Sequence, residues 1–169
     1  MNSNKNPEVI LIVLLIISGF LFYFGNQMTA APGSSSGNGN LAILSMIALV
    51  FIIPIFIYFL MITLKNLRLK LGFLVTMIIL SLSYVIVGFL YQSNEYSKYK
   101  NLVKEIVLAE GVTKDLDYID SITSGIFSPF MNSQFFNLNT YVMFACFVIF
   151  VSSMIILFLK KEGNGDRGI

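Results

Sequence analysis

Four long apolar runs dominate the chain, and what separates them differs sharply in character. The first gap is uncharged and rich in glycine and serine, the second is short and basic, and the third is a longer mixed segment. The runs occupy residues 8–27, 41–64, 71–91 and 140–160. Each is close to the roughly 20 residues, about 30 Å at 1.5 Å per residue, that cross a hydrocarbon core as a helix. Asn6, Pro7 and Glu8 predict a helix start: a capping asparagine, proline at the first helical position, and an acid near the positive end of the helix dipole. Pro54 falls inside the second run. It removes one backbone hydrogen bond and crowds the preceding turn, so a kink is expected near residues 50–53. Membrane helices tolerate such a proline. It shapes packing in one reading and hinges a gate in the other.

The first run also invites comparison with a secretory leader, with Lys5 before it and Thr29, Ala30 and Ala31 after it. Pro32 is a poor neighbour for cleavage there, and the apolar run exceeds the usual length of a leader core. A retained first helix is the expectation.

The gap at residues 28–40 reads as a flexible, uncharged linker. Its glycines lack the lysine and the strand-to-helix setting of a phosphate-binding loop. The gap at residues 92–139 carries more pattern. Tyr96, Tyr99, Leu102, Val103, Ile106 and Val107 recur at helical spacing, while Lys98, Lys104 and Glu105 fall elsewhere around the wheel. With Ser93 as cap and Gly111 as stop, this predicts a separate amphipathic helix over residues 93–110. A second short helix follows, capped by Thr113, with Asp115 and Asp117 in its first turn. Leu116, Ile119 and Ile122 form its apolar side. Thr123 keeps that side narrow, and Gly125 ends the helix. Beyond Asp120 the charges stop, and Phe127, Phe130, Met131, Phe135 and Phe136 crowd together. So much aromatic area is seldom left to water. Tyr96, Tyr99, Phe127, Phe130, Phe135 and Phe136 are therefore candidate interface residues, to be covered by packing, by lipid headgroups or by a partner.

Composition agrees with a membrane setting. Of 169 residues, 56% are hydrophobic and only 12% are charged, about half the charged share of an ordinary soluble domain. The fold class is all-α: a polytopic membrane protein with four transmembrane helices and a small helical extracytoplasmic segment between helices 3 and 4. Residues 1–169 form a single membrane domain. Lys65, Arg68 and Lys70 crowd the second gap, Lys160, Lys161 and Arg167 follow the fourth run, and Lys5 precedes the first. The positive-inside rule puts these clusters, and both termini, in the cytoplasm. Lys98, Lys100, Lys104 and Lys114 then lie outside, where lysines within a longer folded segment count for less. Abundant Ile, Asn and Phe, with Lys exceeding Arg, point to an AT-rich genome and a bacterial plasma membrane.

Candidate chemistry is sparse. The chain has no histidine and one cysteine, Cys146, so the commonest general base and metal ligand is missing and no internal disulfide can form. Cys146 reads as a small packing residue. None of the four runs contains Asp, Glu, Lys or Arg between residues 9 and 24, 41 and 64, 71 and 91, or 140 and 159. Ion-coupled carriers, small four-helix multidrug exporters among them, use an ionisable group at that depth. Ser81, Ser83, Ser152 and Ser153 have no base there to activate them. Asp115, Asp117 and Asp120 form the one carboxylate cluster, with residues 117 and 120 on one helical face. They lack the turn glycine and terminal acid of an EF-hand loop. No metal, cofactor or catalytic residue is assigned, and nothing points to nucleic acid.

Small residues near heptad spacing suggest close helix packing instead: Ser18 and Gly25, Ser81 and Gly88 with Tyr84, Ala145 and Ser152, Cys146 and Ser153. Three functions fit. The first is a non-enzymatic subunit or accessory protein of a larger membrane complex, contacting lipids and other membrane subunits and docking through residues 92–139. The second is a small oligomeric channel or uncoupled transporter gated around Pro54. The third is a lipid-acting enzyme using Asp115, Asp117 and Asp120. The orientation has a direct test. In a Cys146→Ser background, Arg68→Cys should be labelled by an impermeant thiol reagent only from the cytoplasmic side, and labelling from outside would reverse the topology.

Overall fold

The structure, a computed structural model, describes residues 6–32, 34, 39–111 and 115–165. Lys5, Thr113, Lys114, Arg167, most of the glycine- and serine-rich stretch and the side chain of Leu116 lie outside the described residues. Among those described, the chain is all helical. The elements are α1 (Pro7–Gln27), α2 (Ala42–Asn66), α3 (Leu71–Ala109), α4 (Leu116–Ile122), a 3-10 turn (Pro129–Met131), α5 (Asn132–Phe135) and α6 (Leu138–Gly165). Four of them, α1, α2, α3 and α6, are long and apolar enough to span a membrane. This is the architecture of a multi-pass membrane protein.

The start of α1 relies on backbone bonds rather than side-chain capping. Asn6 holds the cap position of α1, but its side chain makes no capping bond; its carbonyl accepts from Val9 N at 3.0 Å instead. Helix α2 runs unbroken through Pro54, whose ring faces away from the bundle. Residues 67–70 join α2 to α3, and Arg68 turns the chain there with a φ of +46°.

The expected break at Ser93 does not occur. The third span and the helix after it form one rod of 39 residues, about 59 Å long at 1.5 Å per residue. Polarity changes sharply after Tyr91, yet no proline or glycine interrupts the backbone between Gln92 and Ala109, so the hydrogen-bond ladder continues. Ser93 sits inside the helix, and its carbonyl accepts the Ser97 hydroxyl at 3.0 Å.

The spans pack in the order α1, α2, α6, α3, so α6 lies between α2 and α3. The buried stripe of α1 is Leu14, Ser18, Phe22 and Gly25, which is the expected small-residue seam. On α6, Val148, Ser152, Ser153 and Ile156 are buried; on α3, Leu74, Ser81 and Gly88 are. An aromatic chain links the helices. Phe22 meets Phe136, Tyr141 and Phe144 with ring centres 5.4–5.7 Å apart, and Phe144 meets Phe56 at 6.2 Å. Without water to squeeze out, such packing and the close approach of small residues hold helices together in lipid.

Beyond the spans, the upper part of α3, α4, the 3-10 turn and α5 form a headpiece with its own core. Val103, Val107, Ile119 and Phe130 are buried there, with Tyr99, Ile122 and Ala30 packed against them. The buried face of upper α3 is narrower than the spacing suggests, because Leu102 remains exposed. Asp115, expected in the first turn, is itself the cap of α4: its carboxylate accepts from Asp117 N and Tyr118 N at 3.0 and 3.2 Å. Thr123 is fully buried, and its hydroxyl donates to the Ile119 carbonyl at 2.7 Å, so a polar residue completes the apolar side at little cost.

Two glycines allow close approach. A Cβ on Gly25 would come within 2.5–2.7 Å of the buried Phe136 ring, and one on Gly88 within 2.8 Å of the Met143 side chain. Gly72 has open space in the same position. Gly25→Ala should therefore cost about 1–3 kcal/mol by overpacking. Gly88→Ala should cost less, because the flexible Met143 can shift, and Gly72→Ala should leave stability nearly unchanged. Thermal unfolding in one detergent compares the three; equal melting temperatures for Gly25→Ala and Gly72→Ala would contradict this packing.

Candidate functional site: an amide clasp beneath the headpiece

Seven neutral amide side chains gather where the spans meet the headpiece: Asn26, Asn40, Gln92, Asn132, Gln134, Asn137 and Asn139. Asn132 is the most enclosed, with no exposed surface. It lies on α5, directly after the 3-10 turn started by Pro129. Its amide nitrogen donates to Met28 O at 2.8 Å and to Asn40 Oδ1 at 2.9 Å. Its Oδ1 accepts from Asn40 Nδ2, also at 2.9 Å. The two asparagines thus form a reciprocal pair. Asn40 Nδ2 reaches Phe127 O at 3.2 Å, and its Oδ1 accepts from Ala42 N at 3.0 Å, so it also serves the open first turn of α2. Asn26 completes this side by donating to Phe136 O at 2.5 Å. The end of α1, the start of α2 and the headpiece are fastened at one point.

A second set fastens α3 to α6. Gln92 Oε1 accepts from Asn137 Nδ2 at 3.2 Å and from Asn139 Nδ2 at 3.1 Å, while its nitrogen donates to Gln134 Oε1 at 3.2 Å. Asn139 also donates to the Gly88 carbonyl at 3.0 Å, which the bare glycine backbone leaves accessible. Asn137 and Thr140 make a reciprocal cap at the start of α6, with Asn137 N donating to Thr140 Oγ1 and Thr140 N to Asn137 Oδ1, both at 3.0 Å. An amide suits this depth. It carries two donors and an acceptor without net charge, so it can close backbone ends near hydrocarbon without a buried ion.

The linker is accordingly fixed at both ends. The Thr29 hydroxyl donates to Asn26 O at 2.6 Å, Ala30 N to Pro129 O at 3.0 Å, and Ser34 Oγ to Ala31 O at 2.6 Å.

The candidate interface aromatics separate into two groups. Phe130 and Phe136 are core residues, 5% and 2% exposed, and offer nothing to a partner. Tyr96, Tyr99 and Phe135 are half-buried. Tyr96 stacks obliquely on Phe135 with ring centres 5.7 Å apart, and its hydroxyl accepts from Gly125 N at 3.1 Å. Only Phe127 remains open, at 66%, beside the exposed Ile126. The aspartates also part company. Asp115 is committed to the α4 cap. Asp120 is held by two lysines, Lys104 Nζ at 2.5 Å and Lys100 Nζ at 3.1 Å, and Lys100 also donates to Ser124 Oγ at 2.6 Å. Among the described residues, no three His, Cys, Asp or Glu side chains converge as a metal site would require.

Three cavities of about 340–380 Å³ border the clasp. One lies between α1 and α6, lined by Gly19, Phe22, Asn26 and Tyr141. Another lies between α3 and α6, lined by Phe89, Tyr96, Phe135 and Met143. The third is lined by Tyr91, Gln92, Glu95 and Ser133, and the Glu95 carboxylate there accepts from Lys98 Nζ at 2.8 Å. No protein-family model, no curated protein and no solved structure matches this chain.

The lysine clamp has a pH signature. Hydrogen bonds from Lys104 and then Lys100 lower the Asp120 pKa from 3.8 to about 2. A carboxyl group whose pKa is depressed by folding stabilises the fold above its unfolded pKa and loses that contribution as pH falls through the folded value. The wild type should exceed Asp120→Asn in thermal stability at pH 5, and the gap should close between about pH 4 and pH 2. Asp120 is exposed, so salt should shrink the gap as well. A gap independent of pH would dismiss the clamp.

Proposed function

We propose that this chain is a non-enzymatic membrane subunit or accessory protein that presents its headpiece to another protein of a larger complex. In this reading the headpiece faces outside, both termini are cytoplasmic, and the membrane is a bacterial plasma membrane. The observation that carries it is the unbroken α3. One rod passes from the span into the headpiece, and the amide clasp ties the other spans to the same body. Such a construction holds a surface at a fixed height and angle above the bilayer, which suits presentation better than turnover. At the headpiece surface, Ile126 and Phe127 are exposed on a backbone fixed by the Asn40 bond to Phe127 O. A rigidly held aromatic is the usual anchor of a protein interface.

The docking surface in this proposal is smaller than the aromatic count suggests, since Phe130 and Phe136 are spent on the core. The rival readings draw less support. Of the three aspartates of a lipid-acting enzyme, Asp115 is occupied by a helix cap and Asp120 by a lysine clamp, which leaves Asp117, exposed on the surface of α4. Pro54 lies on the outer face of α2, so a passage gated there would have to form between copies of the chain.

A photocrosslinking amino acid at position 127, in native membranes, should yield one discrete adduct with a second protein. The same probe at Leu80, exposed on α3, should yield lipid adducts only. Phe127→Asp should weaken the association by about 2 kcal/mol or more, roughly thirtyfold. Lipid adducts alone at position 127, with a monodisperse monomer on mild-detergent purification, would reject the proposal.

A further inference from the structure

The opposite end of the bundle holds a different feature. Where α3 begins and the apolar part of α6 ends, a groove of about 710 Å³ is lined by Leu71, Leu157, Phe158, Lys160 and Lys161. Its floor is apolar and its rim is cationic. Leu71 and Phe158 are exposed, at 58% and 60%, so the floor opens sideways toward the bilayer. The two lysines follow the last apolar turn of α6, at the level where hydrocarbon gives way to headgroups.

The lysines play different parts. Lys160 Nζ donates to Leu69 O at 2.6 Å, which ties the α2–α3 link to α6 and holds that ammonium group above the groove. A lysine carries three N–H donors, and this bond uses one. Lys161 is exposed. The adjoining first turn of α3 has no side-chain cap and no acid. Nothing lies within 4 Å of the Cβ position at Gly72, so this side of the turn is open. Lys65, Arg68 and Lys70, all exposed, add positive charge from the link.

We propose that this groove binds one anionic phospholipid from the adjacent leaflet, with its phosphate against Lys160, Lys161 and the first turn of α3, and an acyl chain over Leu71, Leu157 and Phe158. Charge complementarity selects the headgroup, and the apolar floor selects a lipid over a free anion. A free phosphate would satisfy the rim and leave the floor uncovered. A zwitterionic lipid would cover the floor but bring no net charge to the lysines. This site is separate from the headpiece and independent of any partner there.

The test uses the full chain purified in detergent, with native mass spectrometry and thermal unfolding as readouts. Phosphatidylglycerol and phosphatidylcholine with identical acyl chains are the probes. One phosphatidylglycerol should be retained in preference to phosphatidylcholine and should raise the melting temperature more. Lys161→Gln, at an exposed position that the fold does not need, should weaken retention about fivefold. Lys98→Gln, exposed at the headpiece end, should leave it unchanged. Equal retention of the two lipids, or full retention by Lys161→Gln, overturns the proposal. Displacement of the lipid by millimolar inorganic phosphate also overturns it, because the rim alone would then be the site.

Discussion

The pair formed by Asn40 and Asn132 is the point on which the headpiece end depends. Both amides are used on both sides, and through them the end of α1, the start of α2 and the turn after Pro129 share one set of hydrogen bonds. The residues joined lie 92 and 104 positions apart in the chain, so no local preference creates this arrangement. It exists because buried backbone groups must be satisfied near a bilayer, where an orphan costs about 1–3 kcal/mol even by protein-interior standards. The aromatic packing of Phe136 against Phe22 and Gly25 depends on it in turn, since α5 holds Phe136 in place and Asn26 fixes its carbonyl.

The two ends of the bundle solve the same problem differently. At the headpiece end, neutral amides close the helix ends and leave little charge near hydrocarbon. At the link end, closure is cationic: Lys160 reaches the Leu69 carbonyl, and exposed lysines and Arg68 surround it. Neutral closure supports a compact, wedged protein body. Cationic closure leaves charge available to whatever lies beside it. The polarity of the molecule along its long axis therefore appears in the chemistry of its helix ends as well as in its count of lysines.

The spans were legible because an apolar run of about 20 residues has few alternatives, and the small-residue seam at Ser18 and Gly25 followed from spacing alone. The boundary at Ser93 was misread for a physical reason. A change from apolar to polar side chains marks where a helix leaves lipid, but does not end the helix; that takes a lost donor or an unfavourable φ, and residues 92–109 contain neither proline nor glycine. Aromatic crowding at residues 127–136 was visible, but which rings face inward depends on the 3-10 turn and α5, whose register the pattern does not reveal. The amide clasp was the largest omission. Asparagine and glutamine give no periodic signal, and their partners are distant in sequence. The clue was positional: all seven cluster near the same ends of the spans or in the stretch leading into α6.

The continuity of α3 makes the protein a lever. The 18 residues beyond Tyr91 extend about 27 Å past the span. No flexible joint absorbs rotation between the two parts, so a 10° change in the tilt of the span moves the far end of the helix by about 5 Å. Helices tilt to match the thickness of the bilayer around them. The height and lean of the headpiece are thus set by the membrane in which the span is seated.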